Sequence, residues 1–372
     1  MFRLRPGNVK KIIRNRKGIQ EAWVEVEGNE EKTINYTDLT GVLKTGDEVI
    51  VNTTALHLNL GTGGKNFVFL NSRYSSFDIS DTGHIMKLRY TPYQIKVLSC
   101  EEQESPHRNS FKSFSSLNGL PVLMGELHSM LAPAAAVLKY KSPGARIVYI
   151  MTDGAALPIE FSDTVSALKA KQIITGSITT GHAFGGDLEA VNVYTALIAA
   201  SEVFQADVAI VTMGPGNVGT DSEYGFSGME QGEIINAVTI LGGQPVYILR
   251  VSFADPRERH KGISHHSLKV LKDIAMTPAA VCLPETDDAT FLYITRQLES
   301  AGIYNKHRVI NRKGGIAAEA LKSFGLRVKT MGRALEQDRI FFESAGASAV
   351  FTTELMDKRS AILAVETFSR VK

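Results

Sequence analysis

The chain has 372 residues, of which 44% are apolar and 22% charged, with a formal net charge of +2. This is the composition of a globular protein of about two domains, and it gives no reason to expect nucleic acid or an anionic membrane as the main partner. No run approaches the roughly 18 consecutive apolar residues of a membrane span, and the N-terminal residues lack the apolar segment of a secretory signal, so the chain reads as cytoplasmic.

The basic N-terminus (Arg3, Arg5, Lys10, Lys11, Arg14, Arg16, Lys17) is followed at once by the acidic EAWVEVEGNEE (21–31). The charges therefore balance locally, and the segment is not read as a nucleic-acid arm. AWVEVEG (22–28) alternates apolar and polar residues, as a half-buried strand does. GDEVIVNTTA (46–55), NFVFLN (66–71) and YQIKVLS (93–99) are further β-branched and aromatic runs between turn signals. Residues 1–104 are expected to form a small all-β barrel or sandwich domain. SPHRNSFKSFSSLNG (105–119) lacks periodicity and is expected to be a linker. The two cysteines, Cys100 and Cys282, have no paired spacing for zinc or redox work and read as buried small hydrophobes.

From residue 120 to the end, strand and helix patterns alternate. The strand candidates are 120–125, 146–154, 173–179, 207–214, 245–251, 279–284, 307–311 and 326–330. The helical patterns cover 163–171, 188–204, 230–242, 267–275, 290–302 and 316–325. Near-continuous apolar strands alternating with helices imply an α/β domain, 120–372, with a mostly parallel doubly wound sheet. The alternative is a closed (β/α) barrel.

In either architecture ligands bind where the chain leaves the carboxyl ends of the strands. Glu126 and His128 follow the first strand, and Asp153 the second. GHAFGGDLEAVN (181–192), with His182 and Asp187, follows the third, and GPGNVGTDSEYGFSG (214–228) the fourth. The fifth leads into DPRERHKGISHHS (255–267). These exits are expected to share one cleft. Asp187 also reads as the N-cap of the helix that begins there. GPGNVG has the spacing of a dinucleotide loop, but no helix opens on its glycines and no acidic residue ends the next strand, so nicotinamide and flavin are not expected. Its backbone N–H groups still suit an anion, with Gly214, Gly216, Gly219 and Thr220 as the binding residues.

The 255–267 segment carries the chemistry. Arg257 and Arg259 suit an anionic substrate, although either can simply pair with Asp255. His260, His265, His182 and Asp153 are the candidates for acid–base catalysis, and Asp187, His266 and His128 the candidates for a divalent metal. Adjacent histidines on an extended chain point to opposite faces. Only if Ser264 caps a helix there do His265 and His266 lie closer together.

The motifs VYIMTDGAALP (148–158), GHAFGGDLEAVN, MGPGNVGT (213–220), GFSGMEQGE (225–233), DPRERHKGISHHS and TMGR (330–333) resemble an uncharacterised bacterial domain-of-unknown-function family, number 3866. The resemblance spans nearly the whole chain and implies no activity. From the residues themselves the expectation is a hydrolase or transferase acting on a small anionic molecule, with a divalent metal as a candidate cofactor. The alternative is a non-catalytic metabolite-binding sensor or scaffold. A homodimer is the expected assembly.

Overall fold

The computed structural model describes residues 1–61, 63–78, 82–154 and 158–370, with side chains through Ile362. The chain divides into two compact units, Met1–Val97 and Leu98–Lys372.

In the first unit, β1 (Leu4–Arg16), β2 (Ile19–Val26), β3 (Asn29–Tyr36), β4 (Glu48–Asn52) and β5 (Asn66–Asn71) form a closed barrel in the order β1-β2-β3-β5-β4. This is the small barrel expected. Short helices α1 (Thr37–Thr40) and α2 (Thr54–His57) flank β4. The barrel closes because β1 is long enough to pair with β2 on one side and β4 on the other, with irregular register at two points. Gly7 lies where both pairings meet, and a Cβ there would come within 2.7 Å of Val24 Cγ1. Val9, Val24, Val26, Val49, Val51 and Val68 fill the interior. The predicted strand 93–99 shortens to β7 (Ile95–Val97), which pairs with β6 (Ile85–Lys87) outside the barrel.

The second unit is built on β8 (Pro121–Gly125), β9 (Ile147–Thr152), β10 (Gly176–Thr180), β11 (Leu188–Ala190), β12 (Val208–Met213) and β13 (Gln244–Ile248). After the short pair β14 (Val251–Ser252) and β15 (Gly262–Ile263) come β16 (Ala280–Pro284) and β17 (Arg308–Arg312). Among the described residues the main sheet has the order β11-β10-β9-β12-β8-β13-β16-β17, and all its pairs are parallel. It is open, with β11 and β17 at its edges, which decides for the doubly wound sheet over the closed barrel. The helices are α3 (Arg108–Lys112), α4 (Leu131–Lys141), α5 (Asp163–Ala170), α6 (Val193–Glu202), α7 (Glu230–Ile240), α8 (His265–Lys269), α9 (Asp288–Ser300), α10 (Ile316–Ser323) and α11 (Arg339–Arg370). None of the described helices is long and apolar enough to cross a membrane.

Side chains alternate across each strand, so one face buries Leu123, Tyr149, Ile210 and Ile248 against α4, α5, α10 and α11. The other face buries Met124, Ile150, Val211 and Tyr247 against α6, α7 and α9. Residues 105–119, expected as a linker, lie inside this unit: α3 packs on α6, and Leu117 is fully buried in the second core.

Three expectations change here. Residues 188–190 form edge strand β11 rather than the start of a helix, and the helix begins after Asn192, whose side chain accepts from the N–H groups of Tyr194 and Thr195. Asp187 is therefore not the N-cap. Residues 329–330 pair only with 333–334, as β18 (Lys329–Thr330) and β19 (Arg333–Ala334), and do not extend the main sheet.

Strand order also fixes where the sheet opens. The chain leaves β8 towards β9 on one side and leaves β13 towards β16 on the other. Neighbouring strands whose connections diverge leave a crevice at their carboxyl ends. The order puts one such divergence between β8 and β13.

Candidate functional site

Gly125, the last residue of β8, pairs with Ile248, the last residue of β13. Glu126 and Arg250 thus emerge side by side, with Arg250 Nη1 at 3.8 Å from Glu126 Oε1 and both side chains buried. Beyond Arg250 the chain runs out along β14 and returns along β15, with Val251 opposite Ile263. The return is pinned by Ser264 N donating to Arg250 O at 2.8 Å and by Arg250 N donating to Ser267 Oγ at 3.0 Å. Gly262 makes the turn possible: it has φ +67°, and a Cβ would lie 2.4 Å from Gln297 Oε1.

A buried ion network holds the outer part of this segment. Asp255 accepts from Arg257 Nε at 2.9 Å and Nη2 at 2.8 Å, and from Arg250 Nη2 at 3.3 Å. These bonds, Arg257's first, hold its carboxyl well below the usual carboxylate range despite burial. Arg333, from TMGR, donates to Asp338 Oδ2 at 2.9 Å, and Ser252 Oγ donates to the same carboxylate. On the far side, Ser344 of α11 donates to Leu249 O at 2.8 Å. The strand end is fixed from both sides.

Within this frame His260, His265 and His266 converge. One ring nitrogen from each lies within 4.8 Å of the other two. His265 and His266 open α8, and Ser264 Oγ accepts from His266 N. Helical geometry turns successive side chains by about 100° rather than 180°, so their ring centroids come to 4.3 Å. A π-helix, Val270–Ile274, follows directly, a distortion often found at functional sites. His260 and His266 are almost fully buried. His260 Nδ1 meets Ser264 Oγ at 2.8 Å, leaving Nε2 unpartnered. His265 Nε2, both nitrogens of His266 and both oxygens of Glu126 also lack hydrogen-bond partners among the described residues. His266 Nδ1 lies 4.0 Å from Glu126 Oε2, and Phe226 stacks on the His266 ring at 3.8 Å.

The electrostatics follow from this crowding. Burial, then the charge of Arg250, pushes His260 down to about 3, while burial and the charge of His265 push His266 to about 2. His265 falls as well, through burial and Arg259. Burial raises Glu126 to about 7 against the pull of Arg250. The imidazoles are thus neutral near pH 7, the form in which a ring nitrogen binds a metal or takes up a proton.

The glycine loop reaches this group. A Cβ on Gly219 would come within 3.3 Å of His266 Cε1, and Gly228 lies so close to Glu126 that its Cβ would sit 3.0 Å from that of Glu126. Gly214 is buried, and Gly216 takes φ +111°, which an L side chain rarely adopts. Thr220 turns inward on its own loop, donating from N to Gly225 O at 2.7 Å. Arg259 pairs with exposed Asp221 but keeps Nε without a partner among the described residues, whereas the fork of Arg257 is spent on Asp255.

The remaining expected site residues lie elsewhere. Asp187 precedes β11, which runs parallel to β10, so the chain has already returned to the amino edge by that point. Its Oδ2 accepts from Ser177 N at 2.8 Å and its Oδ1 pairs with Lys169 at 2.7 Å. His128 is bonded on both nitrogens, to Ser162 Oγ at 2.7 Å and to Tyr149 and Met213 O, and burial lowers it to about 4. Asp153 accepts from His182 N at 2.9 Å, at the ends of β9 and β10. Four strand spacings separate β10 from β13, about 19 Å. The structure therefore brings together His260, His265, His266 and the glycine loop, with Arg259 near His265, whereas Asp153 and His182 sit at the ends of β9 and β10, Asp187 lies at the amino edge, and His128 spends both ring nitrogens on other partners.

Glu126 is the site residue to which sequence reasoning gave no role. Its signal was an acidic residue directly after an uninterrupted apolar strand. Glu230, at the start of α7, was also missed; it accepts from Thr152 Oγ1 at 2.5 Å, and burial raises it to about 7.

The family model described as "Protein of unknown function (DUF3866)" matches residues 32–349. The chain belongs to this family. The match takes in every residue of the β8–β13 crevice. No curated protein and no solved structure matches the chain.

Proposed function

We propose that the protein is an enzyme of the hydrolase or transferase kind that acts on a small anionic substrate in the crevice between β8 and β13. The observation that carries this reading is the set of unpartnered polar atoms gathered there: Glu126 Oε1 and Oε2, His260 Nε2, His265 Nε2, and Nδ1 and Nε2 of His266. Each buried polar atom left unsatisfied costs about 1–3 kcal/mol. A fold concentrates that cost where a ligand or a reaction recovers it.

The surroundings favour an anion. Arg250 and Arg259 are close enough to act on the histidines, and Gly219 of the glycine loop comes up against His266. In this reading Arg259 and the loop orient the substrate. Glu126, raised to about 7 by burial, supplies the group that holds and moves a proton on the attacking water or acceptor, while the neutral histidines offer ring nitrogens to the reacting centre.

The test is a panel of small anionic esters (phosphomonoesters, phosphodiesters, carboxylate esters) presented to the full-length protein with and without added divalent metal. Turnover of one class, lost in His260→Ala and Glu126→Gln and kept in Asp187→Asn, is the expected result. Turnover unaffected by the first two variants would refute the assignment of the site. A wild-type protein that retains an anionic metabolite but converts none of the panel would favour the sensor.

A further inference from the structure

We infer that His260, His265 and His266 form a binding site for one divalent transition metal of the zinc class, with Glu126 as the outer partner of His266 and the fourth coordination position turned towards the 214–219 loop. The inference deepens the proposed function by using the same site. Metal binding is nevertheless measurable without turnover.

The donor set selects the metal. Three neutral imidazoles suit zinc and its neighbours in the first transition row, whereas calcium and magnesium take oxygen ligands. Three histidines with an open fourth position are a catalytic rather than a structural zinc arrangement. The geometry is close to closing: metal–nitrogen bonds of about 2.0–2.1 Å place tetrahedral ligands about 3.3–3.4 Å apart. Here one ring nitrogen of each histidine already lies within 4.8 Å of the other two, so side-chain rotations suffice to bring the set to that spacing.

Second, the outer contacts orient the ligands. Ser264 Oγ occupies His260 Nδ1 at 2.8 Å and leaves Nε2 for the metal. Glu126 Oε2 faces His266 Nδ1 at 4.0 Å, the position of the carboxylate that accepts a ligating histidine's second N–H and fixes its tautomer. His266 Nε2 is then left for the metal. It lies on the side approached by Gly219, where a Cβ would stand 3.6 Å away. A substrate oxygen bound by the loop therefore lies next to the open position.

Third, no protein group among the described residues satisfies these atoms. Glu126 and His266 are each more than nine-tenths buried, and neither has a hydrogen-bond partner among the described residues.

The experiment uses the full chain stripped with a chelator, then titrated with Zn²⁺ against a chromophoric competitor and with Co²⁺ by absorption spectroscopy. One equivalent bound, with the intense visible bands of four-coordinate Co²⁺, is expected. His265→Ala and His266→Ala should each abolish binding, and Glu126→Gln should weaken it by roughly 10–100-fold; His182→Ala and Asp187→Asn should leave it unchanged. X-ray absorption on the Co²⁺-loaded wild type supplies a readout that does not depend on the variants folding, and three nitrogen ligands at about 2.0–2.1 Å are expected. Absence of stoichiometric binding at micromolar metal, or binding that survives loss of His265 and His266 together, would overturn the inference. Turnover by a protein that shows no stoichiometric metal binding would overturn it while leaving the proposed function intact. A metal held by the three histidines without turnover of any substrate would do the reverse.

Discussion

His266 Nδ1 stands 4.0 Å from Glu126 Oε2, and neither atom has a hydrogen-bond partner among the described residues. A buried carboxyl raised to about 7 beside a neutral imidazole is poorly suited to stabilising a fold. Replacing Glu126 with Gln should therefore leave the melting temperature no lower than wild type. A drop of several degrees in a thermal scan would show that the carboxyl has a structural role instead.

The opposite is expected of Asp255. Removing it leaves Arg250 buried with, among the described residues, only the more distant Glu126 as counter-charge, and breaking a buried pair from one side costs about 3–5 kcal/mol. Asp255→Ala should lose about 3 kcal/mol in urea unfolding. A loss below about 1 kcal/mol, the value of an exposed pair, would mean that the network does not hold the 255–266 segment.

Glu230 predicts a pH dependence. Its folded value is raised from 4.5 to about 7, chiefly by burial, with the charge of Asp153 adding to the rise. Below pH 4.5 both folded and unfolded forms carry the proton and its contribution is fully present. Between 4.5 and 7 the unfolded chain ionises first, so stability falls as pH rises, by roughly 3 kcal/mol in all. Glu230→Gln keeps an acceptor for Thr152 and should flatten that part of the profile, gaining stability relative to wild type at pH 8. Identical slopes for the two proteins would contradict the raised value.

How far the sequence could be read depended on periodicity. The main parallel strands announced themselves as apolar runs because both of their faces are buried. β11 did not, since its three residues at the sheet edge carry Glu189 between Leu188 and Ala190, and the helix after it lent them its pattern. α4 lacks an amphipathic period because residues 131–138 are buried on every side. α11 was hidden by its small residues: Gly346 lets the Gly314 backbone approach so closely that a Cβ would lie 2.5 Å from its carbonyl oxygen. Ser348 and Thr352 satisfy their buried hydroxyls on the helix's own carbonyls. In the site, the histidines were legible by type but not by spacing, which matches no standard zinc pattern; the Ser264-capped helix is what brings His265 and His266 together. The role of Glu126 was not legible, because it depends on β8 and β13 being neighbours, a pairing between strands far apart in the chain.

The contribution of α11 can be measured directly. Phe342 is fully buried against the first face of the sheet, and Phe342→Ala should cost about 3–5 kcal/mol. A loss near zero would mean that the helix does not pack there in solution.

Gly219 tests the approach of the loop to the histidines. A Cβ would press on His266 and Phe226 at 3.3 Å, and Val adds two further carbons. Gly219→Val should weaken substrate binding or turnover at least tenfold while changing the melting temperature by less than a few degrees. Unchanged kinetics would place the loop outside the site.

The most direct measurement is anomalous diffraction at the zinc edge from crystals of the full chain grown with one equivalent of Zn²⁺. The account predicts a single strong peak bonded to nitrogens of His260, His265 and His266, with Glu126 against the outer nitrogen of His266. A zinc held elsewhere, with the three imidazoles still unligated, would contradict it.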